Sequence, residues 1–319
     1  MQAYLFVHFR EKQTPDGEQV YFGVSLDGFH WEKVNDGKPV LRSTLGEKGV
    51  RDCTIIRGDD GIYRIFATDL SLAYHFENKY KSDWSTVSHN GSKCLSMWES
   101  NDLVNWSEQC LLQLGNEDFG CLWAPDAFFD PECGDYVLHW SSSHVRNGFG
   151  NMGIWCSRTS DFQRFSVPQL LYEKQDAGVI DSAIYVENGA YYLFVKSDHN
   201  PERILLLRSE HALGPYHRVD AFDESMLAIE AGLYEGATAC KLDDGRWCLF
   251  LDYYGVPGEG QGYVPFLADT LDSGVFVRAD REFSFPYGYK HGTIIPITLE
   301  EYHRIKNHHW SSLDRNMDK

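Results

Sequence analysis

The sequence lacks several features that mark common classes of protein. It has no run of about 18 consecutive apolar residues, the length that a membrane-spanning helix needs, and no membrane span is expected. Only 29 lysines and arginines stand against 47 acidic residues, and the net charge is −18. This charge repels phosphate backbones. We therefore expect neither a nucleic acid nor a membrane as partner, and a neutral substrate suits the surface better.

Two further absences concern cysteine and targeting. The eight cysteines include no CxxC pair, and several lie in strand-like stretches, which predicts buried free thiols in place of disulfides or zinc ligands. Residues 1–9 lack the basic start, the apolar run and the cleavage site of a secretory signal, and they have the pattern of a strand. We therefore expect a cytoplasmic location.

What the sequence does contain is a repeated motif, in which an acidic residue opens a short apolar strand. The copies are headed by Asp52, Asp126, Asp181 and Glu235, and a fifth copy has His291 in place of the acid. The spacing is about 55 residues, apart from a longer first interval. A fixed period of this size indicates a repeat architecture.

Each repeat predicts four short strands separated by turn residues, which is the arrangement of a β-propeller blade. Five heads predict an all-β, five-bladed β-propeller that forms one catalytic domain over residues 1–319. Residues 3–41 supply three strands of the last blade and residues 291–297 supply its first. The N-terminal strands should therefore pair with the C-terminal inner strand and close the ring.

Segments outside the strands are also predictable. Thr298 and Glu301 have the spacing of a capping box, which predicts a short C-terminal helix to about residue 306. Residues 311–319 are expected to form a frayed polar tail. The two longest interruptions, residues 71–93 and 255–262, are loop-like in composition, and we expect them to shape substrate selection.

The motif heads should converge, because the first strands of all blades in a propeller line the channel in the same direction. Two carboxyl groups on either side of a scissile bond are the apparatus of glycoside hydrolysis, and a third can tune the proton donor. The structural alternative is that each acid starts a strand and accepts hydrogen bonds from backbone N–H groups. That alternative explains a single Asp well and the coordinated set poorly.

These residues give the chain a resemblance to glycoside hydrolase family 43 over residues 3–305. The stretches that carry it are Arg51-Asp52-Cys53-Thr54, Trp123-Ala124-Pro125-Asp126, Ile180-Asp181-Ser182-Ala183, Glu235-Gly236-Ala237 and His291-Gly292-Thr293. The resemblance implies that Asp52 is the general base, Glu235 the general acid and Asp181 the residue that orients the acid and modulates its pKa. The proline that follows each of these acids in the family is replaced here, which affects fine positioning more than chemistry.

Five other residues are candidates for substrate binding: Arg51, Trp123, Asp126, Lys290 and His291. Trp123 either stacks on a sugar ring or fills the core between blades. Arg51 and Lys290 either bind sugar hydroxyls or pair with the acids. His291 is either a structural histidine or the holder of a water or a structural calcium ion. One histidine near acids does not identify a metal, and no metal ligand or required cofactor is assigned.

The resemblance thus implies an inverting exo-glycosidase that hydrolyses α-L-arabinofuranosides or β-xylosides in plant-type oligosaccharides. One alternative is a β-galactofuranosidase of the same family. A retaining fructofuranosidase is less consistent, because the chain has no W-x-N-D-P-N stretch. The alternative from another class is a carbohydrate-binding propeller without catalysis. The sugar, the linkage and the oligomeric state stay open at this point.

Overall fold

The computed structural model describes residues 2–10, 14–229, 233–255, 262–279, 281, 283–286 and 288–310. Residues 256–261 of the second predicted loop and the predicted tail at 311–319 lie outside this range. Strands make up most of the regular structure in the described residues, which confirms the all-β class.

The strands are numbered in chain order. The first seven are β1 (Gln2–His8), β2 (Tyr21–Ser25), β3 (Trp31–Lys33), β4 (Val50–Arg57), β5 (Tyr63–Asp69), β6 (Cys94–Ser100) and β7 (Cys110–Gln113). The next eight are β8 (Trp123–Asp130), β9 (Asp135–Ser142), β10 (Gly153–Thr159), β11 (Gln169–Tyr172), β12 (Val179–Glu187), β13 (Ala190–Ser197), β14 (Arg203–Ser209) and β15 (His217–Arg218). The last five are β16 (Tyr234–Lys241), β17 (Trp247–Tyr253), β18 (Gly262–Ala268), β19 (Val277–Arg278) and β20 (Gly292–Thr298).

The strands form sets of four. Strands β8–β11, β12–β15 and β16–β19 each form a separate antiparallel sheet in chain order. The other eight form one sheet in the order β3-β2-β1-β20-β4-β5-β6-β7. In this sheet β20 pairs with β1 in antiparallel register from Gln2 to His8, and it meets β4 at one parallel pair, Gly292 with Cys53. The predicted pairing of the N-terminal strands with the C-terminal strand is confirmed.

Burial explains the sequence pattern within each set. All eight residues of β13, a second strand, are buried, so the strand is almost continuously apolar. The two-residue strand β15, the fourth strand of the same set, is exposed. Apolar side chains fill the space between neighbouring sheets. For example, Phe128 and Val137 of one sheet share a cluster with Ile184 and Leu193 of the next.

A second recurring element is the turn before the fourth strand. Ser25 Oγ accepts a hydrogen bond from Gly28 N at 2.9 Å, and Asp27 Oδ1 accepts from the next two backbone N–H groups. The same bonds form at Ser100 and at Thr159. A short hydroxyl side chain followed two residues later by Asp thus satisfies the turn backbone in three sets.

Four α-helices accompany the strands in the described residues: α1 (Leu72–His75), α2 (Trp84–Asn90), α3 (Asp220–Ile229) and α4 (Leu299–Asn307). The expectation that residues 71–93 are loop-like was wrong in part, because α1 and α2 lie there. The capping box of α4 is confirmed, since Glu301 N donates to Thr298 Oγ1 at 3.2 Å and Thr298 N donates to Glu301 Oε2 at 2.8 Å. No helix of the described chain combines the length and the apolar character of a membrane span.

The cysteines form no disulfide, and all eight lie within the described residues. Five are buried, which confirms the expectation of buried free thiols for the majority. Cys110 and Cys133 are exposed, and Cys94 is half-buried.

Candidate active site

The first strand of each set is called here the leading strand, and in four of the five sets it carries a β-bulge near its start. The antiparallel ladder skips two residues in β4, β8, β12 and β16. One skipped residue in each has a positive φ: Asp52 at 51°, Ala124 at 45°, Asp181 at 56° and Gly236 at 56°. A bulge re-aims a side chain, and strained backbone of this kind occurs often beside active sites.

The bulges correct the predicted alignment of the motif heads. Asp52 and Asp181 are both the first skipped residue, whereas Glu235 precedes its bulge and Asp126 follows its bulge. The four acids therefore do not occupy equivalent positions. Equal spacing in the sequence concealed this difference, because the bulge falls at slightly different places relative to each acid.

Asp126 lies further along its strand than the other acids. Its Oδ1 accepts hydrogen bonds from Thr54 Oγ1 at 2.6 Å and from Ala127 N at 2.8 Å. It lines a cavity of about 720 Å³ that extends toward the far ends of the leading strands, with neighbours such as Ile294 and Trp247. Burial raises the pKa of Asp126 to about 6, although both hydrogen bonds oppose this. The structure thus separates Asp126 from the cleft described below.

His291 lies between Asp52 and Asp181. Its Nδ1 is 3.3 Å from Asp52 Oδ1 and 3.9 Å from Asp181 Oδ2. Burial on its own would lower the pKa of His291, but the charges of Asp181 and Asp52 outweigh it and raise the pKa to about 9. The imidazole is therefore a cation at neutral pH.

Asp52 is held in its ionised form. Burial on its own would raise the pKa of Asp52, but the hydrogen bond and the charge of His291 lower it below its ordinary value. Thr68 Oγ1 donates to Asp52 Oδ2 at 2.9 Å and fixes the second oxygen. An ionised carboxylate in a fixed orientation is what a general base requires.

Asp181 has the opposite shift. Burial raises its pKa to about 7, and the charges of Glu235 and Asp52 act in the same direction, while His291 opposes them. The backbone N–H of Asp181 donates to Ser141 Oγ at 3.0 Å, which anchors the bulge without stabilising the carboxylate. Asp181 is thus a carboxyl group that exchanges a proton near neutral pH.

Two lysines flank Glu235. Lys196 Nζ is 3.0 Å from Glu235 Oε2, and Lys290 Nζ is 3.8 Å from Glu235 Oε1. Lys290 also pairs with the buried Asp252, at 3.0 and 2.9 Å from its two oxygens. Lys196 lies 4.3 Å from the centre of the Tyr254 ring. Burial on its own would lower the pKa of Lys196, but the charges of Glu235 and Asp181 raise it.

Four polar residues of this region were missed by the sequence reasoning. Each lies on a second strand, directly across the ladder from the residue that precedes the bulge: Thr68, Ser141, Lys196 and Asp252. All four are buried. The signal that could have found them is a polar residue near the end of an otherwise apolar second strand, repeated in every unit.

Arg51 and Lys290 both form ion pairs in the structure. Arg51 Nη1 is 3.1 Å from Oε1 of Glu18, a fully buried carboxylate, and its guanidinium lies 4.6 Å from the centre of the Phe9 ring. The charge of Arg51 also contributes to the low pKa of Asp52. Of the two sequence interpretations, the described contacts favour pairing with acids for both cations.

A cleft of about 800 Å³ opens beside Glu235, within the usual range for ligand cavities of about 300–1,000 Å³. Its lining includes Trp84, Trp123, Phe149, Ile180, Lys196 and Glu235. Trp123 is half-buried and packs against the apolar cluster of Leu72 and its neighbours, so it both fills the core and faces the cleft.

The described residues offer two places to consider for a metal ion. Asp130, Cys133 and Asp135 lie close together, but Arg158 Nη2 donates to Asp130 Oδ2 at 2.7 Å and its Nη1 donates to Asp135. The Arg158 guanidinium therefore already occupies one oxygen of each carboxylate in this group. A ligand histidine must be neutral, whereas His291 is protonated beside two carboxylates. An ion bound by the imidazole would therefore have to displace that proton, whereas a water or a sugar hydroxyl would not.

Comparison with known proteins gives consistent matches. A family model described as a probable glycosyl hydrolase domain matches residues 1–303. An α-L-arabinofuranosidase of Bifidobacterium longum subsp. longum is 30% identical over 211 residues, which are 59% of this chain and 19% of that protein. The chain thus spans about a fifth of the length of this curated relative.

Solved structures share the fold. The GH43 BlXynB protein of Bacillus licheniformis has a TM-score of 0.60 at 16% identity, over 91% of this chain and 54% of that chain. An endo-1,4-beta-xylanase of Bacteroides thetaiotaomicron has a TM-score of 0.60 at 14% identity, over 91% of this chain and 93% of that chain. At these identities the likeness is one of fold.

Proposed function

The chain belongs to the family of probable glycosyl hydrolase domains, of glycoside hydrolase family 43 type, and on that premise we propose that it is an inverting, exo-acting glycosidase. The proposed substrates are α-L-arabinofuranosides or β-xylosides in plant-type oligosaccharides. The description of the Bifidobacterium relative as an α-L-arabinofuranosidase supports the first of these. A neutral oligosaccharide also suits a chain with a net charge of −18.

The observation that carries the proposal is the balance of charge in the cluster. Its carboxyl groups belong to Asp52, Asp181, Glu235 and Asp252, and its cations to Lys196, Lys290 and His291. With all groups ionised, the carboxylates exceed the cations by one. Such a cluster retains one proton more readily than separated carboxylates do. A retained proton is what a glycosidase must deliver to the leaving oxygen.

We assign Asp52 as the general base. Its carboxylate is ionised and held by His291 and Thr68. In the proposed reaction it removes a proton from water, and the water oxygen forms a bond to the anomeric carbon as the glycosidic bond breaks. This role requires the carboxyl groups of base and acid to stand about 6.5–9.5 Å apart.

We assign Glu235 as the general acid and Asp181 as its modulator. Glu235 lines the cleft and would protonate the leaving oxygen. The charge of Glu235 helps to raise the pKa of Asp181, which is the electrostatic contact expected between an acid and its modulator. Two carboxyl groups and water supply every group that the reaction needs. We therefore propose that no cofactor takes part and that His291 orients a water or a substrate hydroxyl.

We further propose that the chain forms a single domain, a five-bladed propeller. Each leading strand lies beside the next: β4 by β8, β8 by β12, β12 by β16, β16 by β20 and β20 by β4. The single parallel pair between Gly292 and Cys53 joins the first complete set to the set made from both chain ends. This order supports a ring.

Hydrolysis of a panel of glycosides, followed by proton NMR, tests this function. We expect cleavage of α-L-arabinofuranosides or β-xylosides, with first release of the anomer opposite to that of the substrate, because water attacks from the face opposite the leaving group. First release of the same anomer would contradict Asp52 as the activator of water. Absence of hydrolysis across the panel would contradict the proposed activity itself.

A further inference from the structure

Building on the proposed function, we propose that Trp84 is the platform for a sugar on the leaving-group side of the scissile bond. Trp84 lies at the start of α2, in the inserted segment of residues 71–93. It would favour an oligosaccharide over a substrate whose leaving group has no sugar. Trp84 is thus assigned as a residue that determines specificity.

The position of the cleft identifies the side. Among the described residues, the cleft lining includes Glu235, the proposed proton donor, but neither Asp52 nor His291. The proton donor must lie next to the oxygen that leaves. A cleft that is lined by the donor but not by the base therefore accommodates the leaving group.

Trp84 is the most exposed of the nine tryptophans, all of which lie in the described chain, at 49% relative exposure. Its ring centre is 6.1 Å from that of Trp123, and the two planes are nearly perpendicular at 85°. Trp84 and Trp123 thus form an aromatic corner in the cleft wall. An exposed indole ring offers a large apolar face at low cost in conformational entropy, and the apolar C–H face of a sugar ring is complementary to it.

The inserted segment is firmly attached on its inner side to the turn that precedes β4. Tyr80 and Val87 are fully buried. Lys79 Nζ donates to Glu47 Oε1 at 2.6 Å, and Tyr80 Oη donates to the same oxygen. Ser71 N donates to Glu47 Oε2 at 3.2 Å. A single buried carboxylate therefore holds the start of the segment and the region before α2.

The other end of α2 is attached to the neighbouring set of strands. The His89 ring forms a hydrogen bond to Phe149 O at 2.6 Å, and Ser143 Oγ donates to Ser88 O at 2.7 Å. Phe149 also lines the cleft. The wall that carries Trp84 is thus pre-organised, which lowers the cost of binding. This favours a fixed subsite over a segment that orders only on binding.

The test compares two substrates that have the same glycone. Both release an alkoxide, but only one of them carries a sugar on the leaving-group side. One pair is α-1,5-linked arabinotriose and methyl α-L-arabinofuranoside. The other pair is β-1,4-linked xylotriose and methyl β-D-xylopyranoside. The experiment uses whichever pair the wild-type protein hydrolyses. The kcat and KM values are measured for wild type, Trp84→Ala and Trp84→Phe.

For Trp84→Ala, kcat/KM on the trisaccharide should fall about 10- to 100-fold more than on the methyl glycoside, mainly through KM, because alanine offers no apolar face to the leaving sugar. Trp84→Phe should recover most of this loss, because it retains an aromatic face. Tyr74→Ala is the matched control. Tyr74 is 41% exposed in the same segment but is absent from the described cleft lining, so both substrates should keep their wild-type values.

A binding measurement covers the case in which Trp84→Ala folds poorly by circular dichroism. In Asp52→Asn, the trisaccharide should change the tryptophan fluorescence more than the methyl glycoside, and adding Trp84→Phe should reduce that difference. Equal losses on both substrates, or equal fluorescence changes, would overturn the assignment of Trp84 while leaving the proposed hydrolysis intact. No hydrolysis of either pair by the wild type would overturn the proposed function together with this inference.

Discussion

At the scale of single residues, Asp52 and Asp181 show how equal local geometry gives unequal chemistry. Both are the first skipped residue of a bulge, with φ values of 51° and 56°. Yet burial raises the pKa of Asp181 to about 7, whereas His291 and Thr68 bring that of Asp52 below its ordinary value. The difference arises because Asp52 lies closer to His291 than Asp181 does and also accepts a hydrogen bond from the Thr68 hydroxyl. Neighbouring side chains, and not backbone position, set the two pKa values.

The charge of His291 is the first testable consequence. In an NMR titration of the histidine rings, His291 should titrate near pH 9, because two carboxylates stabilise its cation. His291→Gln identifies the resonance by its disappearance. Asp52→Asn should move the midpoint to lower pH, since one carboxylate is removed. A midpoint at or below 6.5, the ordinary value, would contradict the described cluster.

The same shift has a consequence for stability. The folded protein keeps this proton to a higher pH than the unfolded chain does. The contribution of His291 to the free energy of unfolding is therefore complete below about pH 6.5 and is lost as the pH rises through about 9.

The sequence predicted His291, Asp52, Asp181 and Glu235 because each heads a recurring motif. It did not predict Lys196 or Asp252, which have no motif of their own. A single charged residue at the end of an apolar strand usually reaches solvent, and only the recurrence of a polar residue at this place in the second strands indicates otherwise. Only the ladder pairs, Ile180 with Lys196 and Glu235 with Asp252, reveal that both face the cluster.

At the scale of elements, the bulges of the leading strands set the geometry of the site. An extra residue on one strand leaves the repeat length almost unchanged, so spacing alone predicted the strands but not the register within them. The helices α1 and α2 were missed for a similar reason. Segments of four and seven residues are too short to show a helical period.

The bulge of β16 gives an element-scale prediction. Gly236 has a φ of +56°, and a Cβ there would lie 2.7 Å from His291 Cγ. Gly236→Ala should therefore displace His291 and lower kcat/KM by more than about 10-fold, with about 1–2 kcal/mol lost from the free energy of unfolding through backbone strain.

The matched control for Gly236→Ala is Gly61→Ala. Gly61 has a φ of +79°, and a Cβ there meets nothing within 4 Å. Gly61→Ala should cost similar stability in thermal unfolding while keeping wild-type kcat/KM. Equal activity in the two variants would show that the position of His291 does not depend on Gly236.

At the scale of the whole molecule, the site exists because separate sets of strands come together. Asp52 comes from β4, Asp181 from β12 and Glu235 from β16, while His291 directly precedes β20. The pairing of β1 with β20 was predictable, because each end of the chain supplies an incomplete set of strands. The position of each side chain along its leading strand was not predictable. Asp126 illustrates this through its contact with Thr54.

The central claim is that these separate strands bring a proton donor, Glu235, to a base, Asp52. The variants Glu235→Gln and Asp52→Asn are compared on a natural oligosaccharide and on an aryl glycoside with an acidic phenol. The phenolate leaves without a proton, whereas the sugar alkoxide needs one, and general acid help is worth about 10²–10⁴-fold.

The measurement is kcat/KM for each variant on each substrate, with folding checked by circular dichroism. Glu235→Gln should lose about 10²–10⁴-fold on the oligosaccharide and far less on the aryl glycoside. Asp52→Asn should lose activity on both, because water attack weakens whatever group leaves. Equal losses of Glu235→Gln on the two substrates would contradict the assignment of Glu235 as the acid, and full activity of both variants would contradict the account of the site.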